Sequence, residues 1–257
     1  MLRLTDPRRA KITYLEIVDR IKNYFTAKKA FEKFSELSKK TKNRFPVTKW
    51  DDVIFYGREN TTVTGFNTHY VYHTGWAARI LAKIKPKEQI DIAGSLFFAG
   101  IVSAFIPIKF YDLRRANIFF SGLSSEKGDL LRLPFPDNSV QSISCLHVNE
   151  HIGLGRYGDE IDPDGDLKAI RELIRVTAHG GNLLFVVPMG KPRLMFNSAR
   201  IYSYAQICEY FKELELKEFY LIPDHETAMK TGPIENATEK DADKQIDGCG
   251  CFWFRKK

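Results

Sequence analysis

Cysteine is scarce, with four residues in a chain of 257, which excludes the dense disulfide framework of a small secreted scaffold. None of the four shows paired metal-ligand spacing; Cys249 and Cys251 stand one residue apart with no His or Cys pair near them in sequence. Long apolar runs are also missing. The longest, LFFAGIVSAFIPI at 96–108, has 13 residues. A membrane helix needs roughly 20, so this run reads as a buried strand or core helix. No charged-then-apolar leader opens the sequence. There is no internal repeat, P-loop or G-x-S-x-G elbow, and the turn after the first strand, DIAGSLF, lacks the G-x-G-x-x-G phosphate loop. What remains is a soluble, cytoplasmic protein, 44% hydrophobic and 28% charged, long enough to bury one sizeable core.

The charge that is present is unevenly spread. Net charge is +7, but residues 1–50 hold 14 Lys+Arg against 5 Asp+Glu, so this arm carries +9 and the remainder −2. Such asymmetry fits nucleic acid or an anionic surface. The lysines, however, alternate with apolar residues at helical spacing, Ile17, Ile21, Tyr24 and Phe25, then Phe31, Phe34 and Leu37. A solvated helical face is the simpler reading. The chain divides into a basic helical N-terminal extension, 1–50, with a helix pair over about 9–42 ending near Pro46, and a domain over 51–257.

From residue 74 the pattern alternates. TGWAARILAKI (74–84), DGDLKAIRELIRVT (164–177) and YSYAQICEYFKEL (202–214) have helical spacing. QIDIAG (89–94), IKFYDL (108–113), SVQSISCLHV (139–148), NLLFVVPM (182–189), EFYLIP (218–223) and CGCFWFRK (249–256) read as strands. Alternating strands and helices predict an α/β fold with a mostly parallel sheet covered on both faces. The last two strands lack a crossover helix between them and are expected to pair antiparallel at the far end.

In such a sheet, ligands sit beyond the carboxyl ends of the strands where strand order reverses. Asp91 closes the first strand and Gly94 stands in the turn after it, where a missing Cβ lets a ligand approach the backbone. Asp112 ends the second strand, 21 residues after Asp91. That is the placement of an acid that binds both ribose hydroxyls of a nucleoside, and equally that of a helix N-cap. The segment GDLLRLPFPDNSVQSISCLHVNEHIGLG (128–155) follows, carrying Asp129, a Pro-Asp-Asn turn, a strand, and then His147, Glu150 and His151.

Here the chain resembles the class I S-adenosylmethionine-dependent methyltransferases. They often carry an Asp, a Leu-Pro-Phe-x-Asp-x-Ser turn, a strand, a Glu-His-Ile/Val segment and a Gly-Gly pair before the next strand, as in HGGNLLFVVPMG (179–190). The likeness covers residues 73–257. It is nearest to a small methyltransferase-like family encoded among bacterial surface-polysaccharide genes, through VYHTGWAARIL, PFPDNS, EHIGLGRYGD, VPMGKPRLMFN and RIYSYAQI. The resemblance implies a Rossmann-like fold with a seven-stranded, mostly parallel sheet and an antiparallel last strand. It also implies S-adenosylmethionine as cofactor. Asp91, Gly94 and Ser95 match the first motif, and Asp112 with Leu113 the ribose-binding acid. Asp129 with Leu130 match the adenine contact, and His147 the position beside the sulfonium. In the first motif Ala93, Ser95 and Phe97 stand where the family commonly has glycine.

Methyl transfer needs an aligned nucleophile and, for a hydroxyl or protonated amine, a base. His151 and Glu150 are the catalytic candidates at the right strand end, though the pair also suits a short helix start. The loop GLGRYGDE offers Arg156 and Tyr157 to an acceptor, and Lys191, Arg193 and Arg200 follow the next strand. Cations there fit a phosphate- or carboxylate-bearing molecule. The expected partner is a small-molecule, nucleotide-linked or glycan acceptor, in capsule biosynthesis if the family likeness extends to it; nucleic acid is not expected. The absence of an Asn-Pro-Pro-aromatic string argues against methylation of nucleobase amines. The acidic run Asp159, Asp162, Asp164 and Asp166 reads as a solvated loop, so no metal is expected. Two rival readings are an RNA methyltransferase using the basic arm and a non-catalytic partner protein in polysaccharide assembly.

Overall fold

The computed structural model describes residues 7–40, 49–54 and 61–257, without the side chains of 7–16 and 52. It divides into two compact units, Met1–Gly65 and Phe66–Lys257, so residues 51–65 fall with the first.

In the first unit, α1 runs from Pro7 to Ser38 as a single helix of 32 residues, where two helices were expected. The reason is legible: Pro7 occupies the first helical position, which tolerates proline, and no glycine or further proline interrupts the next 31 residues. The expected end near Pro46 lies outside the described residues. Tyr24 and Phe31 pack edge-on against Trp50, each with ring centroids 5.6 Å apart. Trp50 belongs to a single 3-10 turn, Trp50–Asp52.

The second unit opens with α2 (Thr68–Ile84), where the Asn67 side chain accepts the Tyr70 N–H at 3.1 Å. There follow β1 (Gln89–Ile92), α3 (Leu96–Val102), β2 (Ile108–Asp112), β3 (Leu123–Lys127), β4 (Val140–Leu146), α4 (Gly165–Val176) and β5 (Thr177–Met189). A short hairpin, β6 (Arg193–Met195) and β7 (Ala199–Ile201), leads to α5 (Tyr204–Tyr210), β8 (Leu214–Ile222), α6 (His225–Thr231), α7 (Glu239–Ala242) and β9 (Gly248–Lys256). The main sheet has seven strands in the order β3-β2-β1-β4-β5-β9-β8. Strands β1 to β5 are parallel, and β9 runs antiparallel to both its neighbours. This is the mostly parallel α/β architecture expected, including the antiparallel pairing of the last two strands.

Apolar layers cover both faces. In β5, Leu183, Phe185 and Val187 face one way, toward Ile170 and Leu173 of α4 and Ile207 of α5. Leu184 and Val186 face the other, toward Trp76, Ile80 and Leu81 of α2 and Phe98 of α3. The apolar run at 96–108 thus resolves into a core helix. Two elements differ from expectation. Strand β3 reads LSSEK, too polar to show a buried pattern, because it is the sheet edge and pairs with β2 alone. The segment around Arg193 and Arg200, given no element in the sequence pattern, is the β6–β7 hairpin. Among the described residues no helix is long and apolar enough to cross a membrane.

Candidate active site

Strand order reverses between β1 and β4, and at their carboxyl ends lies a cleft of about 560 Å³. Gly94, Asp112, Leu113, Asp129, Leu130, His147, His151 and Tyr157, all singled out in the sequence, line it. Apolar Ile92, Phe97, Tyr111 and Val148 complete the walls. Phe97 is 86% exposed, an unusual state for a phenylalanine without a ligand or partner to cover it.

The floor is built by close backbone approach. A Cβ on Gly94 would lie 2.8 Å from Asp91 Oδ2, and one on Gly128 would lie 2.9 Å from the Tyr111 ring, so both turns need glycine. Asp91 does not line the cleft. It is fully buried behind Gly94, bonded through Oδ1 to the Ser144 hydroxyl, and its Oδ2 has no hydrogen-bond partner among the described residues. Burial pushes its pKa up to about 7, against the opposing pull of Ser144 and the Gly94 N–H. Ser95 is half-buried at the N-cap of α3 and its side chain makes no capping hydrogen bond.

Two carboxylates stand at the next strand ends. Asp112 accepts the Arg114 N–H at 2.7 Å, and Asp129 accepts the Leu131 N–H at 2.9 Å. These bonds fix each carboxylate over its own turn. Across the cleft, His147 holds a left-handed backbone at φ 58°. Its Nδ1 lies 2.8 Å from Glu150 Oε1 and its Nε2 lies 3.2 Å from Cys249 Sγ. Burial disfavours charge on this ring, but the Cys249 sulfur and the Glu150 carboxylate outweigh it and hold the pKa well above the usual value.

The two catalytic candidates are placed differently. His151 faces the cleft. Its Nδ1 lies 2.6 Å from the Ser198 carbonyl, an acceptor, and 3.2 Å from Arg156 Nη1, a donor, so the two contacts suit opposite tautomers. Burial lowers its pKa, with Glu150 acting against it. Glu150 is 1% exposed and lines no part of the cleft. It serves His147 at 2.8 Å and lies 3.7 Å from His151 Nε2, so its place is between the two rings.

The acceptor candidates also separate. Arg156 donates to the Ser198 carbonyl at 2.8 Å, and the Arg156 and Arg114 guanidinium groups lie 5.2 and 4.9 Å from the Tyr157 ring centroid. Asp159 holds this loop by accepting the N–H groups of Gly153, Tyr157 and Gly155. Arg200 is a strut: it donates to the carbonyls of Ile152 (2.6 Å) and Pro163 (3.0 Å) and lies 3.5 Å from Asp166. Arg193 and Arg200 line a separate depression of about 250 Å³, and Lys191 is exposed in the bend after β5. The acidic run is therefore structural rather than merely solvated, since Asp162 pairs with Lys168 and Asp166 accepts the Tyr202 hydroxyl.

A second pocket, about 630 Å³, was not legible in the sequence. Thr68, His69, Asp224, His225 and Asp247 line it, drawn from α2, the start of α6 and the turn before β9. The His69 ring stacks on His147 with centroids 5.5 Å apart and planes within 9°. His69 opens on this pocket and His147 on the cleft. Burial, then His147, draws the His69 pKa down to about 4.

A protein-family profile described as "Caenorhabditis protein of unknown function, DUF268" matches residues 137–244. No curated protein matches the chain. Among solved structures, the YcgJ protein from Bacillus subtilis is similar at 16% identity and a TM-score of 0.51, covering 73% of this chain and 99% of that one. A putative sarcosine dimethylglycine methyltransferase from Galdieria sulphuraria is similar at 16% identity and 0.50, over 72% and 85%. The 1,6-didemethyltoxoflavin-N1-methyltransferase of Burkholderia thailandensis, solved with S-adenosylhomocysteine, is similar at 11% identity and 0.50, over 72% and 79%. At these identities the likeness shows the fold, which is the Rossmann-like fold of class I methyltransferases.

Proposed function

We propose that this protein is an S-adenosylmethionine-dependent methyltransferase acting on an oxygen or nitrogen of a small anionic acceptor. The observation that carries the reading is the pair Asp112 and Asp129. They follow successive strands on the rim of an apolar cleft at the switch point, over a turn where Gly94 has no room for a Cβ. Asp112 suits a ribose diol, Asp129 an exocyclic amine, and Leu113 and Leu130 the faces of a purine. Asp91, fully buried directly behind Gly94, supports this turn from inside the fold. When bound, the cofactor supplies an electrophilic methyl group on a sulfonium sulfur.

The chain's own residues then orient the acceptor and take its proton. His151, its pKa lowered by burial, is the base at the cleft. Arg156 and Arg114, aligned on Tyr157, supply positive charge at the rim. That charge, with the strings VYHTGWAARIL and EHIGLGRYGD, supports a sugar, nucleotide-linked sugar or phosphate-bearing unit of a surface polysaccharide as acceptor. Incubation with methyl-labelled cofactor and a panel of phosphorylated sugars, uronates and nucleotide sugars tests this. Label should pass to an anionic sugar and be lost in His151→Ala; transfer to neutral sugars alone, or to RNA, would contradict it.

A further inference from the structure

α2 carries His69 and His73 four residues apart, a spacing that sets both rings on one helix face, as in helical zinc sites. The fold brings that face against the end of β4 and the start of β9. One ligand atom each from His69, His147 and Cys249 then lie within 4.8 Å of one another. His147 is oriented for the task. Its Nδ1 is held by Glu150 at 2.8 Å, which directs Nε2 at the Cys249 sulfur, 3.2 Å away. A carboxylate behind a histidine is the usual outer support of a metal-bound imidazole.

Two groups packed against this triangle hold atoms left without hydrogen bonds among the described residues. His73 is fully buried, its ring centroid is 5.1 Å from that of His147, and neither of its nitrogens has a hydrogen-bond partner among the described residues. Glu150 Oε2 is equally orphaned. Orphaned buried imidazole and carboxylate atoms beside a His-His-Cys triangle are costly unless something completes them.

We propose that His69, His147 and Cys249 bind one divalent transition ion of the Zn²⁺ class, with Glu150 as the outer support of His147. Two imidazoles and one thiolate are borderline-to-soft donors, which select zinc or cobalt over magnesium or calcium. Three protein donors leave a tetrahedral ion one further position, for water or for an acceptor atom. The pocket on which His69 opens gives the ion an entry path. The site does not depend on the methyltransferase reading.

Cobalt titration of the reduced full-length chain tests it. One equivalent should bind, with tetrahedral visible bands and a sulfur-to-cobalt charge-transfer band in the near ultraviolet, and zinc should displace it. Cys249→Ser should lose the charge-transfer band, while Cys251→Ser keeps it. His69→Ala, at a half-buried position where folding is checked by circular dichroism, should weaken binding tenfold or more. Absence of the charge-transfer band in the unaltered protein would overturn the proposal, as would affinity unchanged in His69→Ala. A band that survives in Cys249→Ser would do the same.

Discussion

Replacing Asp91 by asparagine isolates what this carboxylate costs the fold. It is fully buried, with one oxygen bonded to Ser144 and the other lacking a partner among the described residues. Its pKa is raised from 3.8 to about 7. Because the folded value is the higher one, the native state retains a proton that the unfolded chain releases between those limits. The contribution to stability is therefore fully present below about pH 4, declines as pH rises, and is lost once pH passes about 7. Three units at about 1.4 kcal/mol each amount to a loss of about 4 kcal/mol. Asparagine keeps an acceptor for Ser144 but gives up the charge-assisted contact with the Gly94 N–H, at about 1 kcal/mol. Asp91→Asn should thus be more stable than the unaltered chain by about 2–3 kcal/mol at pH 8 and no more stable at pH 4. Urea unfolding at the two pH values, read as a midpoint shift at constant m, measures it. An equal shift at both pH values, or destabilisation at pH 8, would refute the reasoning.

Other substitutions separate the roles within the cleft. Asp112→Ala should weaken cofactor binding roughly ten- to a hundredfold in calorimetry, while leaving unfolding of the free protein within about 1 kcal/mol. His151→Ala should lower turnover by about 10²–10⁴-fold with cofactor affinity nearly constant. In the unaltered enzyme, activity should rise with pH through a pKa below that of a free histidine, since burial lowers the His151 value. Arg175 joins Glu172, Asp137 and the carbonyl oxygens of Phe135 and Leu133; Arg175→Ala should cost about 1–3 kcal/mol in urea unfolding and leave cofactor affinity intact.

How much of this was legible depended on whether a residue's partner was near it in sequence. Strands β5 and β9 announce themselves through apolar runs buried on both faces, LLFVVPM and CFWF, and β1 and β4 through Ile, Val and Leu alternating with polar residues. β3 does not, because an edge strand can be polar. Gly94, Asp112 and Asp129 could be placed at the cleft from sequence because each stands at or just beyond the end of a strand. Glu150, a catalytic candidate beside His151 in sequence, turns its carboxylate inward to His147 and does not line the cleft. Arg200 looked like a free rim cation, yet its guanidinium closes the 152–163 loop through two backbone carbonyls. The His69–His147–Cys249 group exists only through tertiary contact. Its one local trace is the four-residue spacing in HYVYH (69–73), and Cys249 has no His or Cys pair near it in sequence.

The most direct test of the methyltransferase reading is calorimetric titration of the full-length chain with S-adenosylhomocysteine, alongside Asp112→Ala and Arg175→Ala. Saturable one-to-one binding is predicted for the unaltered protein and for Arg175→Ala, with affinity reduced roughly ten- to a hundredfold in Asp112→Ala. No heat at millimolar ligand, or binding indifferent to Asp112, would contradict it.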